Sequence, residues 1–244
     1  MRNISLVLAY DGTNYHGWQM QPGVVTIEQK VREALQKILD HETKVYAGAR
    51  TDSGVHAMGQ VINFFTEKGI ELQNLSRGLN SILPHDIRVM DASDVDEGFH
   101  ARYSARSKTY VYCILNQLYN SPFLIRYVLH WPHSLDIGAM KEAVSWLIGE
   151  HDFSAFKKKN EFYKNPVREV KRAKVVKRAG MIYVILEATG FLRYMVRTIT
   201  GTLLLTGQGK INHGNFKEIL ASKERERAGE TLPPHGLFLK KITY

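Results

Sequence analysis

Gly48-Ala49-Arg50-Thr51-Asp52-Ser53-Gly54-Val55-His56-Ala57 is a polar stretch punctuated by glycines, set between two runs that read as strands, residues 45–49 and 60–66. An Asp among glycines is ordinarily a turn former whose side chain bonds its own backbone. A chemical reading is also open. Arg50 stands two residues before Asp52, and glycines let a backbone approach a ligand closely. A carboxylate near a cation stays ionised, and an ionised carboxylate can act as nucleophile or base. His56 reads as a structural hydrogen-bonding residue rather than a catalytic base.

Outward from this loop, strands and helices alternate. Residues 3–10 read as a strand. Thr26-Ile27-Glu28-Gln29 has the form of a capping box, with Thr26 as N-cap and Gln29 reaching back. Ile27, Val31, Leu35 and Ile38 follow at helical spacing, so a helix ends near Asp40. Leu72, Leu75 and Leu79 mark a second helix, and residues 87–92 a strand. In the second half residues 109–115 alternate as a strand, with Tyr110, Tyr112 and Ile114 on one face. A helix over 135–148 follows, then a hairpin of residues 170–176 and 181–188 around Ala179-Gly180. The pattern ends with a helix over 191–205, another through Phe216, Ile219 and Leu220, and a strand over 237–242. No sequence repeat is visible. The like order of elements nevertheless predicts an α+β architecture of two similar halves, 1–102 and 103–244.

Composition narrows the function. No apolar run approaches the roughly 20 residues that span a bilayer. The N-terminal apolar stretch is short and runs into Asp11-Gly12 without a small-residue cleavage pattern, so it reads as a strand and not a signal peptide. One cysteine, Cys113, allows no intrachain disulfide and no cysteine metal cluster, which suits a reducing cytoplasm. The histidines show no metal-ligand spacing. There is no P-loop, no Gly-x-Gly-x-x-Gly turn, and no deaminase signature. The formal net charge is +9, and residues 157–178 hold ten Lys or Arg against Glu161 and Glu169. Such clustering marks a surface for a polyanion. A solvated strand face and an acidic membrane surface are the other readings of the run. No basic amphipathic helix supports the membrane.

The decisive loop resembles the active-site motif of the tRNA pseudouridine synthase A family, Gly-Arg-Thr-Asp-x-Gly-Val-His-Ala. Further family-like segments follow in the same order. They are Tyr10-Asp11-Gly12-Thr13 with Gly17-Trp18-Gln19, Asn80 with Leu83-Pro84-His85-Asp86-Ile87, Phe99-His100-Ala101-Arg102, Lys108-Thr109-Tyr110-Val111-Tyr112, His151-Asp152-Phe153, Phe191 to Arg197, and Gly236-Leu237. One position departs: the family has Gly directly before the motif Arg, where this chain has Ala49 with Gly48 one place earlier.

The resemblance implies the pseudouridine synthase fold, two similar subdomains joined in one continuous mixed sheet around a central cleft. It implies isomerisation of uridine to pseudouridine without cofactor or metal, in tRNA, at anticodon stem-loop positions 38, 39 and 40. Asp52 becomes the essential carboxylate. It could attack C1′, remove the 2′ proton, or add to C6. Tyr110 is the active-site tyrosine, Arg197 the partner of the carboxylate, and Arg50 a contact to the extruded nucleotide. Arg102, Lys108 and Arg193 lie in family-like segments, Arg106 stands between two of them, and all four are RNA contacts by that reading, with Lys157, Lys158 and Lys159 added by charge. A homodimer is implied, one tRNA touching both subunits. An RNA chaperone, a synthase with another target uridine, and a metal-dependent phosphohydrolase using Asp52 and His56 are the rival functions.

Overall fold

Ile4, Leu6 and Leu8 recur at the two-residue period of a strand buried on one face, and the computed structural model, which describes residues 1–244, builds its first sheet around them. The chain runs β1 (Arg2–Tyr10), α1 (Ile27–Leu39), β2 (Tyr46–Ala47), β3 (His56–Thr66), α2 (Leu72–Ile82), β4 (Ile87–Val95), β5 (Ser107–Leu115), β6 (Leu129–His130), α3 (Ile137–Ser145), β7 (Gly149–Asp152), β8 (Val167–Arg178), β9 (Met181–Ala188), α4 (Met195–Gly207), α5 (His213–Ser222) and β10 (Leu237–Thr243). It packs as two units, Met1–Arg106 with Phe238–Tyr244, and Ser107–Leu237. A linear division at 102 and 103 differs from this packing mainly in the last strand. That strand returns to the first unit because Phe238 and Leu239 pair in parallel with His56 and Ala57 of β3. No helix is long and apolar enough to cross a membrane.

In the first unit β4, β1, β3 and β10 lie side by side, and β2 pairs with β3. The β1–β3 register sets Ile4 opposite Phe64 and Leu6 opposite Ile62, all fully buried. The helices α1 and α2 bury Ile27, Val31, Leu35, Leu75 and Leu79. They pack closely: a Cβ on Gly78 would stand 2.9 Å from the Ile38 Cδ1. The N-cap at Thr26 forms, its hydroxyl accepting from the Gln29 N–H at 3.4 Å. The reciprocal half of the capping box does not. Gln29 turns to Glu33 instead, while the Ile27 and Glu28 N–H groups donate to the Gly17 and Trp18 carbonyls. The strand expected over 45–49 shrinks to Tyr46–Ala47, and β3 begins earlier than expected, at His56.

In the second unit β5, β9, β8 and β7 form an antiparallel run, with β6 parallel to β5. The helix α4 is buried on nearly every side and is the core element. It starts at Met195, four residues later than expected, because Tyr194 adopts a left-handed conformation (φ 67°). The basic run divides. Lys157–Lys159 follow a short 3-10 turn, whereas Lys171, Arg172, Lys174, Lys177 and Arg178 are exposed on β8. There β8 pairs only with β9, since β7 reaches no further than Val170. Lys and Arg along such an edge oppose pairing with another chain, so the strand half of the run has a structural explanation.

The β8–β9 hairpin turns through Ala179 (φ 49°) and Gly180 (φ 78°), the two positive angles of a type I′ turn. An alanine there is strained where Asn is not. Ala179→Asn should raise stability by about 0.5–1 kcal/mol, read as a higher urea midpoint at unchanged slope. An unchanged or lower midpoint would mean that the turn is not strained.

Candidate active site

Between β2 and β3 the loop of residues 48–55 is fixed from below by its neighbours in the first unit. Gln60, fully buried, accepts from the Ala49 N–H through Oε1 (3.1 Å) and donates to the Ala49 carbonyl through Nε2 (2.7 Å). The Tyr10 and Thr51 hydroxyls, both buried, lie 2.8 Å apart. The Thr51 carbonyl accepts from the Trp18 N–H at 3.0 Å. Burial raises the Tyr10 hydroxyl far above its usual range, so it stays protonated. Two glycines admit this contact. A Cβ on Gly12 would meet the Val55 carbonyl oxygen, and one on Gly17 (φ 86°) would stand 2.7 Å from that of Thr51.

Asp52 heads a four-residue turn. Its carbonyl accepts from the Val55 N–H at 3.1 Å, with Gly54 at φ 75° in the third position. The Tyr15 carbonyl accepts from the Ser53 hydroxyl (3.2 Å) and the Gly54 N–H (3.3 Å), and the Tyr15 hydroxyl donates to Asp86. Burial and the Asp86 carboxylate keep that phenol protonated too. Both tyrosines therefore hold the loop and do not titrate near neutrality. Asp52 is half-buried and Arg50 exposed. The departure at Ala49 requires no glycine-only backbone angle, because Ala49 is not among the residues of positive φ. Gly48 lies in a crowded spot, since a Cβ there would stand 2.5 Å from the Ile242 Cδ1 and 3.1 Å from the Ala101 carbonyl oxygen.

His56 is a joint in this floor. Only 1% exposed, it stacks on Phe238 at 4.7 Å between centroids. Its Nδ1 lies 3.1 Å from both the Gly12 N–H and an Asp11 carboxylate oxygen. One ring nitrogen cannot accept from the first and donate to the second at once. Either way it braces the segment beneath the loop.

In the second unit Tyr110, on β5, is 8% exposed and meets Phe191 edge to face at 5.1 Å. Arg197, in the first turn of α4, donates through Nε to the Leu232 carbonyl at 2.6 Å. Tyr194, which lies in the family-like segment 191–197 but was given no role there, is a hub. The Arg197, Arg193 and Lys158 cations stand 4.6, 5.3 and 5.9 Å from its ring centroid. The Lys158 N–H donates to the Arg193 carbonyl, and the Arg193 N–H to the Tyr163 hydroxyl. Lys158, Arg193 and Arg197 are thereby brought together, with Lys157 and Lys159 beside them in the chain. Lys108 sits half-buried on β5. In the first unit Arg102 lies over the Tyr103 ring, and the exposed Arg106 donates its N–H to the Thr243 carbonyl. Sequence reasoning placed Tyr10 and Tyr194 in family-like segments without giving them a role and passed over Gln60; these roles depend on contacts to residues distant in the chain or on a backbone angle.

Comparison with known proteins adds an independent line. A family model described as tRNA pseudouridine synthase matches residues 6–104 and 143–244. A tRNA pseudouridine synthase A of Thermoanaerobacter sp. (strain X514) is 46% identical over 244 residues, covering 100% of both chains. The tRNA pseudouridine synthase A 2 of Clostridium perfringens (strain 13 / Type A) is 43% identical with the same coverage. That of Bacillus pumilus (strain SAFR-032) is 41% identical over 99% of this chain and 98% of its own.

The Gln60 clamp makes the loop's dependence testable. Gln60→Leu strands the Ala49 N–H and carbonyl in a buried setting. It should cost roughly 2–6 kcal/mol of stability, given about 1–3 kcal/mol for each of the two unsatisfied groups. Chemical denaturation measures this, and a cost under about 0.5 kcal/mol would show that the loop does not depend on the clamp.

Proposed function

The chain belongs to the tRNA pseudouridine synthase family, and on that premise we propose that it converts uridine to pseudouridine in the anticodon stem-loop of tRNA, with Asp52 as the essential carboxylate. The C1′–N1 bond breaks, the base turns, and C1′ bonds to C5. The C5 hydrogen leaves as a proton, and N1 gains one. No electron changes hands and no group is imported, so the reaction balances without a cofactor.

The observation that carries this reading is the mounted loop. A half-buried carboxylate heads a turn whose backbone is fixed by Gln60, Thr51, Trp18 and Tyr15. Reacting atoms must be held within a few tenths of an ångström for covalent or acid–base work. A solvated turn former needs no such floor. Asp52 acts on the sugar or the base by one of three routes: attack at C1′, removal of the 2′ proton, or addition to C6. Tyr110 offers a ring to the uracil and a hydroxyl to a migrating proton. Arg197 offers the planar guanidinium that suits a carboxylate. Arg50, exposed beside Asp52, meets the extruded nucleotide, since extrusion costs a few kcal/mol that contacts must offset.

The RNA backbone is met by Arg102, Arg106, Lys108, Lys157, Lys158, Lys159 and Arg193. We further propose that the chain acts as a homodimer in the cytoplasm, so that one tRNA touches two copies.

Tritium release from a tRNA transcript labelled at uracil C5 tests the reaction. Wild type should release it without added metal, and Asp52→Ala should bind the RNA without release. Binding with no release by wild type on any tRNA would favour a non-catalytic RNA module. Replacing Lys157, Lys158 and Lys159 together by Gln should lower the slope of log affinity against log salt by about 0.7 to 0.9 for each phosphate no longer neutralised. An unchanged slope would make that segment a solvated face only.

A further inference from the structure

We propose that the first unit carries a second RNA-binding element, a platform of Tyr46, His100 and Tyr103 flanked by Lys44 and Arg102, which stacks an unpaired base of the substrate RNA other than the reacting uridine. This rests on the reading of the substrate as tRNA. The rings form a flight of tilted steps. Tyr46 and His100 are 4.7 Å apart between centroids at 54°, and His100 and Tyr103 are 4.4 Å apart at 39°. Each end carries a cation: Lys44 Nζ lies 5.1 Å from the Tyr46 ring, and the Arg102 guanidinium 5.5 Å from that of Tyr103. Tyr103, the outermost step, is 76% exposed.

Folding alone does not account for this arrangement. Its terminal ring gains little burial, yet the backbone beneath it is tied at every point. The His100 Nδ1 accepts from the Arg102 N–H (3.1 Å) and the Tyr103 N–H (3.4 Å), which fixes the ring's orientation. The Ser104 N–H donates to the His100 carbonyl, and the His100 N–H donates to the Ser104 hydroxyl. Below, buried Asn63 donates to the Phe99 carbonyl and accepts from the Ala101 N–H at 2.8 Å. The Tyr244 hydroxyl donates to the Ala101 carbonyl at 2.8 Å. The His100 ring and the backbone that carries Arg102 and Tyr103 are therefore fixed before any ligand arrives.

Aromatic faces flanked by cations are what a polyanion bearing flat bases requires. Stacking engages the π-face that every base has, and the cations meet phosphate. A protein partner would be expected to find an apolar patch, but Lys44 and Arg102 are exposed at its two ends. Charge and ring geometry together favour RNA.

The experiment measures tRNA affinity across a salt series with Asp52→Ala as the parent, so that no turnover intervenes. Tyr103→Ala, Tyr103→Phe and Arg102→Ala are each added to it. Tyr103→Ala should weaken binding about 5- to 100-fold with the salt slope unchanged, because stacking releases no counterions. Tyr103→Phe should bind within about twofold of the parent. Arg102→Ala should lower the slope by about 0.7 to 0.9. In otherwise wild-type protein, Tyr103→Ala should raise KM while kcat at saturating RNA is retained.

Parent-like binding by Tyr103→Ala overturns the platform and leaves that face to another kind of partner. A Tyr103→Phe as weak as Tyr103→Ala overturns stacking, since the hydroxyl would then be what matters. A fall in kcat alone would place Tyr103 with the reacting uridine, and would overturn the proposal as well. Failure of the enzymatic reading is distinguishable, because it appears as wild type that binds tRNA and releases no tritium.

Discussion

A carboxamide shut away from water must find partners for both its N–H and its C=O, or forfeit roughly 1–3 kcal/mol for each group left over. Gln60 has no exposure, and it finds both on a single residue, the N–H and carbonyl of Ala49. This is the pairing that a neighbouring strand would supply, made by a side chain. It lets the chain leave regular structure after Ala47 without leaving its backbone unpaired. The placement of Asp52 follows from it, because the turn that begins at Asp52 starts only three residues beyond the clamp. The Tyr10–Thr51 hydroxyl pair and the Trp18 N–H then fix the intervening backbone.

The same strand holds a second such amide. Asn63 lies three residues after Gln60, and by the two-residue alternation of a strand the two project from opposite faces of β3. One face secures the loop of Asp52. The other secures the segment from Phe99 to Ala101, which leads into Arg102 and Tyr103. Buried polar groups of this kind contribute little net stability when satisfied, and cost much when half-satisfied. Their effect is to allow one arrangement of the attached segments and penalise others. A core of leucines would bind the loops no less firmly in area but would not specify their register.

Much of this was legible in the sequence. The order of the longer elements, the N-cap at Thr26 and the turn at Ala179-Gly180 rest on local chemistry, which sequence displays, whereas the short strands β6 and β7 were not expected and the motif around Asp52 was singled out by resemblance. What escaped depended on contacts between distant residues. Gln29 offers itself to the capping box but donates to Glu33 instead, and the first helix N–H groups, those of Ile27 and Glu28, are met by the Gly17 and Trp18 carbonyls about ten residues upstream. Gln60 reads as a polar residue on a strand and Tyr10 as the end of one, and neither announces the loop it holds. The basic run reads as one feature because charge is all a sequence shows of it. The fold divides it between an open strand edge, where Lys and Arg deter pairing, and the segment that meets Tyr194.

Tyr194 shows why such a residue stays hidden. No propensity favours tyrosine in the left-handed region, where an L-residue costs about 1–2 kcal/mol, so helical periodicity through Phe191 and Leu192 carries the expected helix straight across it. The observed angle of 67° ends that helix early and sets a ring among Lys158, Arg193 and Arg197. Three cations gathered this closely repel one another. An aromatic face attracts each by roughly 0.5–2 kcal/mol without cancelling its charge, whereas a carboxylate in the same place would neutralise the cluster. A backbone strain that persists must be over-determined by its surroundings, and strain of this kind concentrates at sites that bind or react. The Tyr194 ring therefore gathers these three side chains at a cost in backbone strain, and the RNA contacts proposed for Lys158 and Arg193 would draw on that arrangement.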